Sequence, residues 1–219
     1  MFEICRIVQI RNAIGYNVFE RVFLNGIPDL VGTEWSGNLD YSIWQWGDGE
    51  KIKKLKESIR RKLETIQGLN CAFCGMTLRV TSEEQIEHIA PKGGSRYPEY
   101  MFYPNNLVLA CGLCNGFQKK ERREFSNTIG QRGDFYESHY FNIVHPKLDN
   151  PRDHYELGRD EDEITITHLS LKGQKSIAML ELDQEPHTTE RGKMLMRHFY
   201  QVSPEYREIY NRIAEENGF

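Results

Sequence analysis

The spacing of apolar residues predicts a helix over residues 51–66. Apolar side chains recur there at steps of three and four residues, which places them on one face of a helix. The members of this stripe are Ile52, Leu55, Ile59, Leu63 and Ile66. Between residues 51 and 62 the other faces carry Lys and Arg against one acidic residue, Glu57. A solvated helix face is the usual meaning of such a charge run, and a surface that contacts phosphate groups is the alternative.

Short apolar runs predict strands on both sides of this helix. Residues 3–10 and 19–26 have the pattern of short strands in an N-terminal region that otherwise reads as turns. Residues 85–90 and 106–111 predict two more strands. Residues 163–171 alternate between apolar and polar side chains, as a half-buried strand does.

Further helices are predicted after the second of two cysteine pairs and at the end of the chain. Residues 113–125 have a helical pattern that begins near that cysteine pair. Two helices are expected to close the chain, and in the last one Ser203 suits the N-cap and Pro204 the first helical position. The apolar stripe of this last helix is Tyr206, Ile209, Tyr210 and Ile213.

The tryptophans all lie in one stretch between residues 32 and 50, as Trp35, Trp44 and Trp46. A packing surface is the simplest meaning of this clustering. A platform on which nucleic-acid bases stack is the alternative.

Composition narrows the class of protein. The chain of 219 residues is 39% hydrophobic and 27% charged, with a net charge of −4, which is ordinary for a soluble protein and gives no global sign of nucleic-acid binding. No apolar stretch approaches the roughly 18 residues of a membrane span. Glu3, Arg6 and Arg11 interrupt the first apolar run, so no secretory signal is predicted and a cytoplasmic location is expected.

Four of the five cysteines form two C-x-x-C pairs, Cys71/Cys74 and Cys111/Cys114. Two such turns supply the four sulfur ligands that a structural zinc ion prefers, and we therefore predict a closed zinc site. A redox dithiol is the alternative for either pair alone, but it would not explain both. Because four thiolates leave no open coordination position, this Zn²⁺ would stabilise the fold and would not take part in catalysis. The remaining cysteine, Cys5, is expected to be a buried apolar residue.

The segment between and after the cysteine pairs carries polar residues in a characteristic order. Glu87 and His88 lie in the strand predicted over residues 85–90, and Asn105 and Asn106 directly precede the Leu-Val-Leu run of the strand predicted over 106–111. Asn115 follows Cys114 at the start of the predicted helix. The order strand, loop, strand, helix, with cysteine pairs at both ends, resembles the HNH nucleases of the ββα-metal superfamily. Through the basic helix and residues 88–93, 145–158 and 172–183, the chain more loosely resembles the HNH nucleases of Septu and retron-associated anti-phage systems.

The resemblance implies a fold and a division of the chain. The expected class is α+β, with a zinc-fastened ββα-metal (HNH) core, an N-terminal strand/helix extension and a C-terminal α/β extension. The expected boundaries are residues 1–50 for the N-terminal extension, 51–125 for the basic helix and nuclease core, and 126–219 for the C-terminal extension.

The resemblance also implies roles for the site residues. His88 would take a proton from water, and Asn106 would orient its imidazole through contact with neighbouring backbone. Glu87 and Asn115 would bind a catalytic Mg²⁺ or Mn²⁺, because such ions prefer oxygen ligands. Two positions differ from the family pattern: Glu87 replaces the commoner Asp, and Gln118 stands where many members have a basic residue. The candidate phosphate contacts are Lys92, Lys119, Lys120, Arg60 and Arg61.

The leading hypothesis is therefore a metal-dependent endonuclease acting on DNA, with an ATPase or another defence subunit as partner. The acidic residues 149–163 and the tryptophan stretch are the expected docking surface for such a partner. RNA cleavage by the same site is one alternative. A catalytically silent zinc module that binds nucleic acid or protein is the other. His145 and His154 are expected to form a loop hydrogen-bond network, with a second metal site as the less favoured alternative.

Overall fold

The computed structural model describes residues 7–27, 30–37, 48–80, 82–93, 96–115, 136–158 and 164–217. Several predictions lie outside these residues: Cys5, Trp44, Trp46, Lys119, Lys120, and all but the first residues of the helix expected over 113–125. Within them, the helices are α1 (Val18–Asn25), α2 (Asp48–Gln67), α3 (Leu171–Leu180), α4 (His187–Val202) and α5 (Pro204–Asn217). The strands are β1 (Gln85–His88), β2 (Leu107–Ala110), β3 (Tyr155–Leu157) and β4 (Ile166–His168).

The N-terminal region differs from the sequence prediction. Residues 7–10 form no strand, and the run predicted as a strand over 19–26 is helix α1. A capping box explains the helix: the Asn17 side chain accepts a hydrogen bond from the Glu20 amide at 2.9 Å, and the Glu20 carboxylate accepts one from the Asn17 amide at 2.7 Å. These reciprocal bonds satisfy amides that have no partner within the helix.

Helix α2 begins three residues before the predicted helix and ends one residue after it. Four members of its apolar stripe are buried and Ile66 is half-buried, and Ile59 and Leu63 are fully excluded from solvent. The helix packs against β2. At the end of α2, the Gln67 side chain forms two hydrogen bonds with the backbone of Leu109 in β2. Its Oε1 accepts from the Leu109 N–H at 2.9 Å, and its Nε2 donates to the Leu109 carbonyl at 2.7 Å.

Strands β1 and β2 form an antiparallel hairpin in which Glu87 lies opposite Val108 and His88 opposite Leu107. All four residues of β2 are buried, whereas β1 is buried only at His88. The first C-x-x-C turn joins this hairpin, because the Ala72 amide donates to the Leu109 carbonyl at 3.0 Å. The hairpin therefore lies between α2 and the cysteine turns, at the centre of the described core.

The C-terminal part adds a second antiparallel hairpin, β3–β4, and three helices. The strand predicted over 163–171 is shorter than expected, because Ser170 caps α3 by accepting a hydrogen bond from the Gly173 amide. Helix α5 begins at Pro204 as predicted, but its apolar stripe is not buried: the four side chains are about half exposed. The α+β class is thus confirmed for the described residues. None of their helices combines the length and the apolar character that crossing a bilayer requires.

Candidate functional site

The four cysteines of the two C-x-x-C pairs converge. Their Sγ atoms all lie within 4.8 Å of one another, and all four side chains are buried. The Sγ atoms of Cys74 and Cys111 are 3.7 Å apart. Tetrahedral zinc–sulfur bonds of about 2.3 Å put neighbouring sulfurs about 3.8 Å apart, so the observed spacing fits a zinc ion. Hydrogen bonds among the four sulfurs act unequally: that from Cys114 is the largest cause that lowers the pKa of the Cys111 thiol, and that from Cys111 is the largest cause that raises the pKa of the Cys114 thiol.

A histidine that no sequence pattern singles out also contacts this cluster. His187, the first residue of α4, is buried, and its Nε2 lies 3.4 Å from the Sγ of Cys114. Its Nδ1 donates to the Glu181 carbonyl at 3.0 Å. His187 therefore attaches the C-terminal helices to the cysteine cluster. It lies 73 residues from Cys114 in the chain, and no spacing pattern connects the two.

His88 is the last residue of β1 and retains 8% of its exposure. Its Nε2 lies 3.0 Å from the carbonyl oxygen of Met101. A carbonyl oxygen only accepts, so Nε2 carries the proton and Nδ1 of the neutral ring is an acceptor. The imidazole is thus held in the tautomer whose Nδ1 can take a proton.

Trp35 and two lysines surround this imidazole. The rings of Trp35 and His88 meet edge to face, with centroids 4.5 Å apart and planes at 89°. Burial lowers the pKa of His88 to about 3, and the positive charges of Lys92 and Lys56 act in the same direction. The ring is therefore neutral near pH 7. The short N-terminal segment that carries Trp35 is part of the site, although the sequence resemblance to HNH nucleases does not extend to it.

The side chain of Asn106 links two backbone segments that adjoin His88, one at Ala90 and one at Tyr100. It is completely buried, its Oδ1 accepts from the Ala90 amide at 2.6 Å, and its Nδ2 donates to the carbonyls of Ala90 and Tyr100 at 3.1 and 2.9 Å. Ala90 follows His88 in the chain by two positions, and Tyr100 directly precedes Met101, which accepts from the imidazole. These contacts have the form that the sequence predicts for Asn106, and its role in catalysis stays a prediction.

A buried network supports Asn106 from the other side. His145 is completely buried, and its Nδ1 accepts from the amides of Lys147 and Leu148, so its Nε2 carries the proton and donates to the Tyr136 hydroxyl at 3.1 Å. The Tyr136 hydroxyl in turn donates to Asn106 Oδ1 at 2.7 Å. His145 thus belongs to a loop hydrogen-bond network, as the sequence predicts, but Tyr136 was not expected.

Of the two expected metal ligands of the catalytic site, Glu87 lies in β1 and Asn115 contacts β1 through the Gln85 side chain. Glu87 is half-buried and directly precedes His88. Asn115 donates from Nδ2 to the Gln85 side chain at 2.6 Å, which leaves its Oδ1 as the atom a cation would take. Alternation along a strand puts Gln85 and Glu87 on one face and His88 on the other. Glu87 and His88 are the last two residues of β1, so the carboxylate and the imidazole both lie at the end of this strand.

The candidate phosphate contacts that the structure describes lie in helix α2 and in the loop after β1. Arg60 is paired with the buried Glu84 carboxylate at 3.1 Å, whereas Arg61 is exposed. Lys92 lies in the loop after β1, close enough for its charge to act on His88.

The acidic surface expected to bind a partner is smaller than predicted. Asp149 does not contribute to it, because its carboxylate is buried and lies 2.5 Å from the ammonium group of Lys172.

The chain is similar to the Septu protein PtuB of Bacillus mycoides (strain KBAB4). The two are 31% identical over 152 residues, which is 63% of this chain and 51% of that protein. The chain therefore spans about half the length of this relative. No family model matches the chain, and no solved structure matches it. The similarity supports the link to Septu proteins that the sequence predicts, while the HNH assignment stays a prediction.

Proposed function

We propose that the chain is a metal-dependent HNH endonuclease that hydrolyses phosphodiester bonds in DNA. The observation that carries the proposal is the state of His88, a neutral imidazole with Nε2–H bound to Met101 and Nδ1 left as acceptor. A ring in this state can take a proton from an attacking water molecule. A phosphodiester beside it brings negative charge, which opposes the effects of burial and of the lysines and raises the pKa toward the working range of a base.

The surrounding residues supply the other requirements of the reaction. Hydrolysis needs neutralisation of the charge that develops on phosphorus-bound oxygens and stabilisation of the leaving 3′ oxygen. Lys92 and Lys56 place positive charge beside His88. Glu87 and Asn115 would hold Mg²⁺ or Mn²⁺, which supplies further charge stabilisation when bound. The expected products carry a 5′ phosphate and a 3′ hydroxyl.

The same proposal includes a structural zinc ion in the cysteine cluster. Four buried sulfurs at the observed spacing match a closed tetrahedral site. The cluster follows β2 directly at Cys111 and reaches β1 through the Asn115–Gln85 bond. Metal in this cluster would therefore stabilise the hairpin that positions His88.

We infer further that the nuclease works in an anti-phage defence system, together with a partner such as an ATPase. The similarity to the Septu protein PtuB supports this inference.

The proposal is tested by digesting plasmid DNA and a matched RNA with Mg²⁺, Mn²⁺ or a chelator, using the purified chain and the chain with its copurifying partner. We expect DNA cleavage that requires metal and is lost in His88→Ala. His139→Ala is the matched control, because His139 is exposed and its Nδ1 lies 3.2 Å from the Glu137 carboxylate. Equal cleavage by the wild type and His88→Ala would contradict the proposal. Cleavage of RNA alone would favour the RNA-cleaving alternative, and no cleavage under any condition would favour the silent zinc module.

A further inference from the structure

We propose that Trp35 is a positioning residue for His88. Its indole holds the imidazole in the orientation in which Nε2 donates to Met101 and Nδ1 remains the acceptor. This inference deepens the proposed function and rests on it for its catalytic meaning. The position of the ring itself can be tested without any nuclease assay.

The contact between the two rings is direct. The centroids are 4.5 Å apart and the planes are at 89°, which is a favourable edge-to-face arrangement. Trp35 also packs against Phe102 at 5.8 Å between centroids, next to the Met101 carbonyl that accepts from His88. The indole thus contacts both the imidazole and the residue that follows its hydrogen-bond acceptor.

Helix α2 holds the indole in place. The Lys56 ammonium lies 5.2 Å from the centroid of the Trp35 ring and donates to the Trp35 carbonyl at 3.2 Å. A cation over an indole face and a hydrogen bond to the same residue restrict both its side chain and its backbone. Lys56 therefore holds Trp35 against helix α2 while its charge still acts on His88.

The segment around Trp35 is built for this close approach. The buried Glu34 carboxylate accepts hydrogen bonds from the amides of Val31 and Gly32, both at 2.9 Å. Gly32 has a φ of +102°, and a Cβ there would lie 2.6 Å from the carbonyl oxygen of Lys92 in the loop after β1. The segment thus packs on the loop that leaves His88 and presents Trp35 to the ring.

Fixing the ring matters because a base acts only when it faces its water molecule. An imidazole can turn about two side-chain bonds, and a displacement of about 1 Å at a reacting group can cost on the order of 100-fold in rate. The Met101 carbonyl constrains one nitrogen of His88, and Trp35 closes the space into which the ring would otherwise rotate. The N-terminal segment would then be required for turnover although it holds no reacting group.

The test uses histidine labelled with ¹⁵N in the ring and NMR spectra that report which nitrogen carries the proton. The His88 signals are identified by their loss in His88→Gln. In the wild type we expect a single tautomer protonated at Nε2. In Trp35→Ala we expect a mixture of both tautomers, and in Trp35→Phe, which keeps an aromatic edge, recovery of most of the wild-type signal.

Two further variants distinguish a specific effect of Trp35 from general misfolding. Lys56→Met removes the cation and the hydrogen bond but keeps the indole, and we expect a smaller shift of the tautomer ratio in the same direction. Phe19→Ala removes an aromatic ring that is 86% exposed in α1, and it should leave the His88 signals unchanged. Metal content and thermal unfolding are measured for each variant.

Cleavage assays provide the second readout. We expect kcat to fall about 10- to 100-fold in Trp35→Ala with KM within about twofold of the wild type. Unchanged tautomer signals in both Trp35→Ala and Lys56→Met would overturn the proposal, and so would a rise in kcat, which would make Trp35 a cover over the base. If the wild type cleaves nothing, the proposed function fails, and the NMR comparison alone decides whether Trp35 positions the ring.

Discussion

The side chain of Asn106 forms four hydrogen bonds close to His88. Its carboxamide bonds the backbone of Ala90 twice and Tyr100 once, and it accepts from the Tyr136 hydroxyl. Asn106→Ala would leave these buried groups without partners. We expect a loss of roughly 2–4 kcal/mol in the free energy of unfolding, measured by urea titration.

Asn105→Ala is the matched control for this variant. Asn105 is the neighbouring carboxamide, and it is only half-buried, whereas Asn106 is completely excluded from solvent. We expect a loss below about 1 kcal/mol for Asn105→Ala. Equal losses for the two variants would show that the sequence-based choice of Asn106 over Asn105 is wrong.

Single residues were predictable where the sequence places them beside a recognisable neighbour. The cysteine pairs and Asn106 before an apolar strand are of this kind. Trp35, Tyr136 and His187 are not, because their partners are distant in the chain and only tertiary folding brings them together. Buried polar contacts between distant segments leave no periodic signal in a sequence.

At the scale of elements, the segment that carries Trp35 depends on Gly32. Gly32→Ala would place a Cβ 2.6 Å from the Lys92 carbonyl and force a left-handed backbone conformation on an alanine. We expect a loss of roughly 1–3 kcal/mol in the free energy of unfolding. Gly15→Ala is the control, since a Cβ there meets nothing within 4 Å, and it should change stability by less than about 0.5 kcal/mol. A neutral Gly32→Ala would contradict the close packing of this segment on the loop after β1.

The cysteine turns are the second element whose stability can be tested. We expect about one zinc ion per chain, and removal of the metal with a strong chelator should lower the melting temperature and expose the cysteines to a thiol reagent. Hydrogen exchange should also rise at the start of α4, because His187 contacts Cys114.

Cys74→Ser should reproduce the loss of zinc, whereas Cys5→Ser, which lies outside the two pairs, should keep it. Full zinc content in Cys74→Ser, or a chelator without effect on stability, would contradict a structural metal site. A redox dithiol would instead show reversible disulfide formation within one pair.

Elements with a strong local pattern were predicted well, and those with a competing signal were not. The apolar stripe of α2 is sufficient to predict that helix, and two apolar runs are sufficient to predict strands β1 and β2. Helix α1 has the composition of a strand, because four of its five apolar residues are β-branched or aromatic: Val18, Phe19, Val22 and Phe23. The Asn17–Glu20 capping box at its start favours the helix. Helix α3 was not recognised as a helix, since the strand pattern before it was extended over its first residue.

At the scale of the whole molecule, two buried histidines make the fold sensitive to acid. Burial lowers the pKa of His88 and of His145 from 6.5 to about 3 in the folded protein. The unfolded chain therefore binds more protons between pH 6.5 and about 3, and stability falls as the pH drops through this range. For one such histidine the loss at pH 5 is about 2 kcal/mol.

His145→Asn tests this dependence without changing His88. An asparagine oxygen can still accept from the amides of Lys147 and Leu148, but it does not titrate. We expect a smaller difference in unfolding free energy between pH 7 and pH 5 than in the wild type, with His139→Asn as an exposed control. An unchanged difference in His145→Asn would show that His145 does not contribute to the acid sensitivity.

The central claim is that the imidazole of His88 takes the proton of the attacking water. The most direct measurement is the single-turnover rate of DNA cleavage by His88→Ala, with and without added imidazole. We predict a loss of roughly 100- to 10,000-fold relative to the wild type and partial recovery when imidazole enters the vacated space. A cleavage rate equal to that of the wild type, with no response to imidazole, would contradict the account.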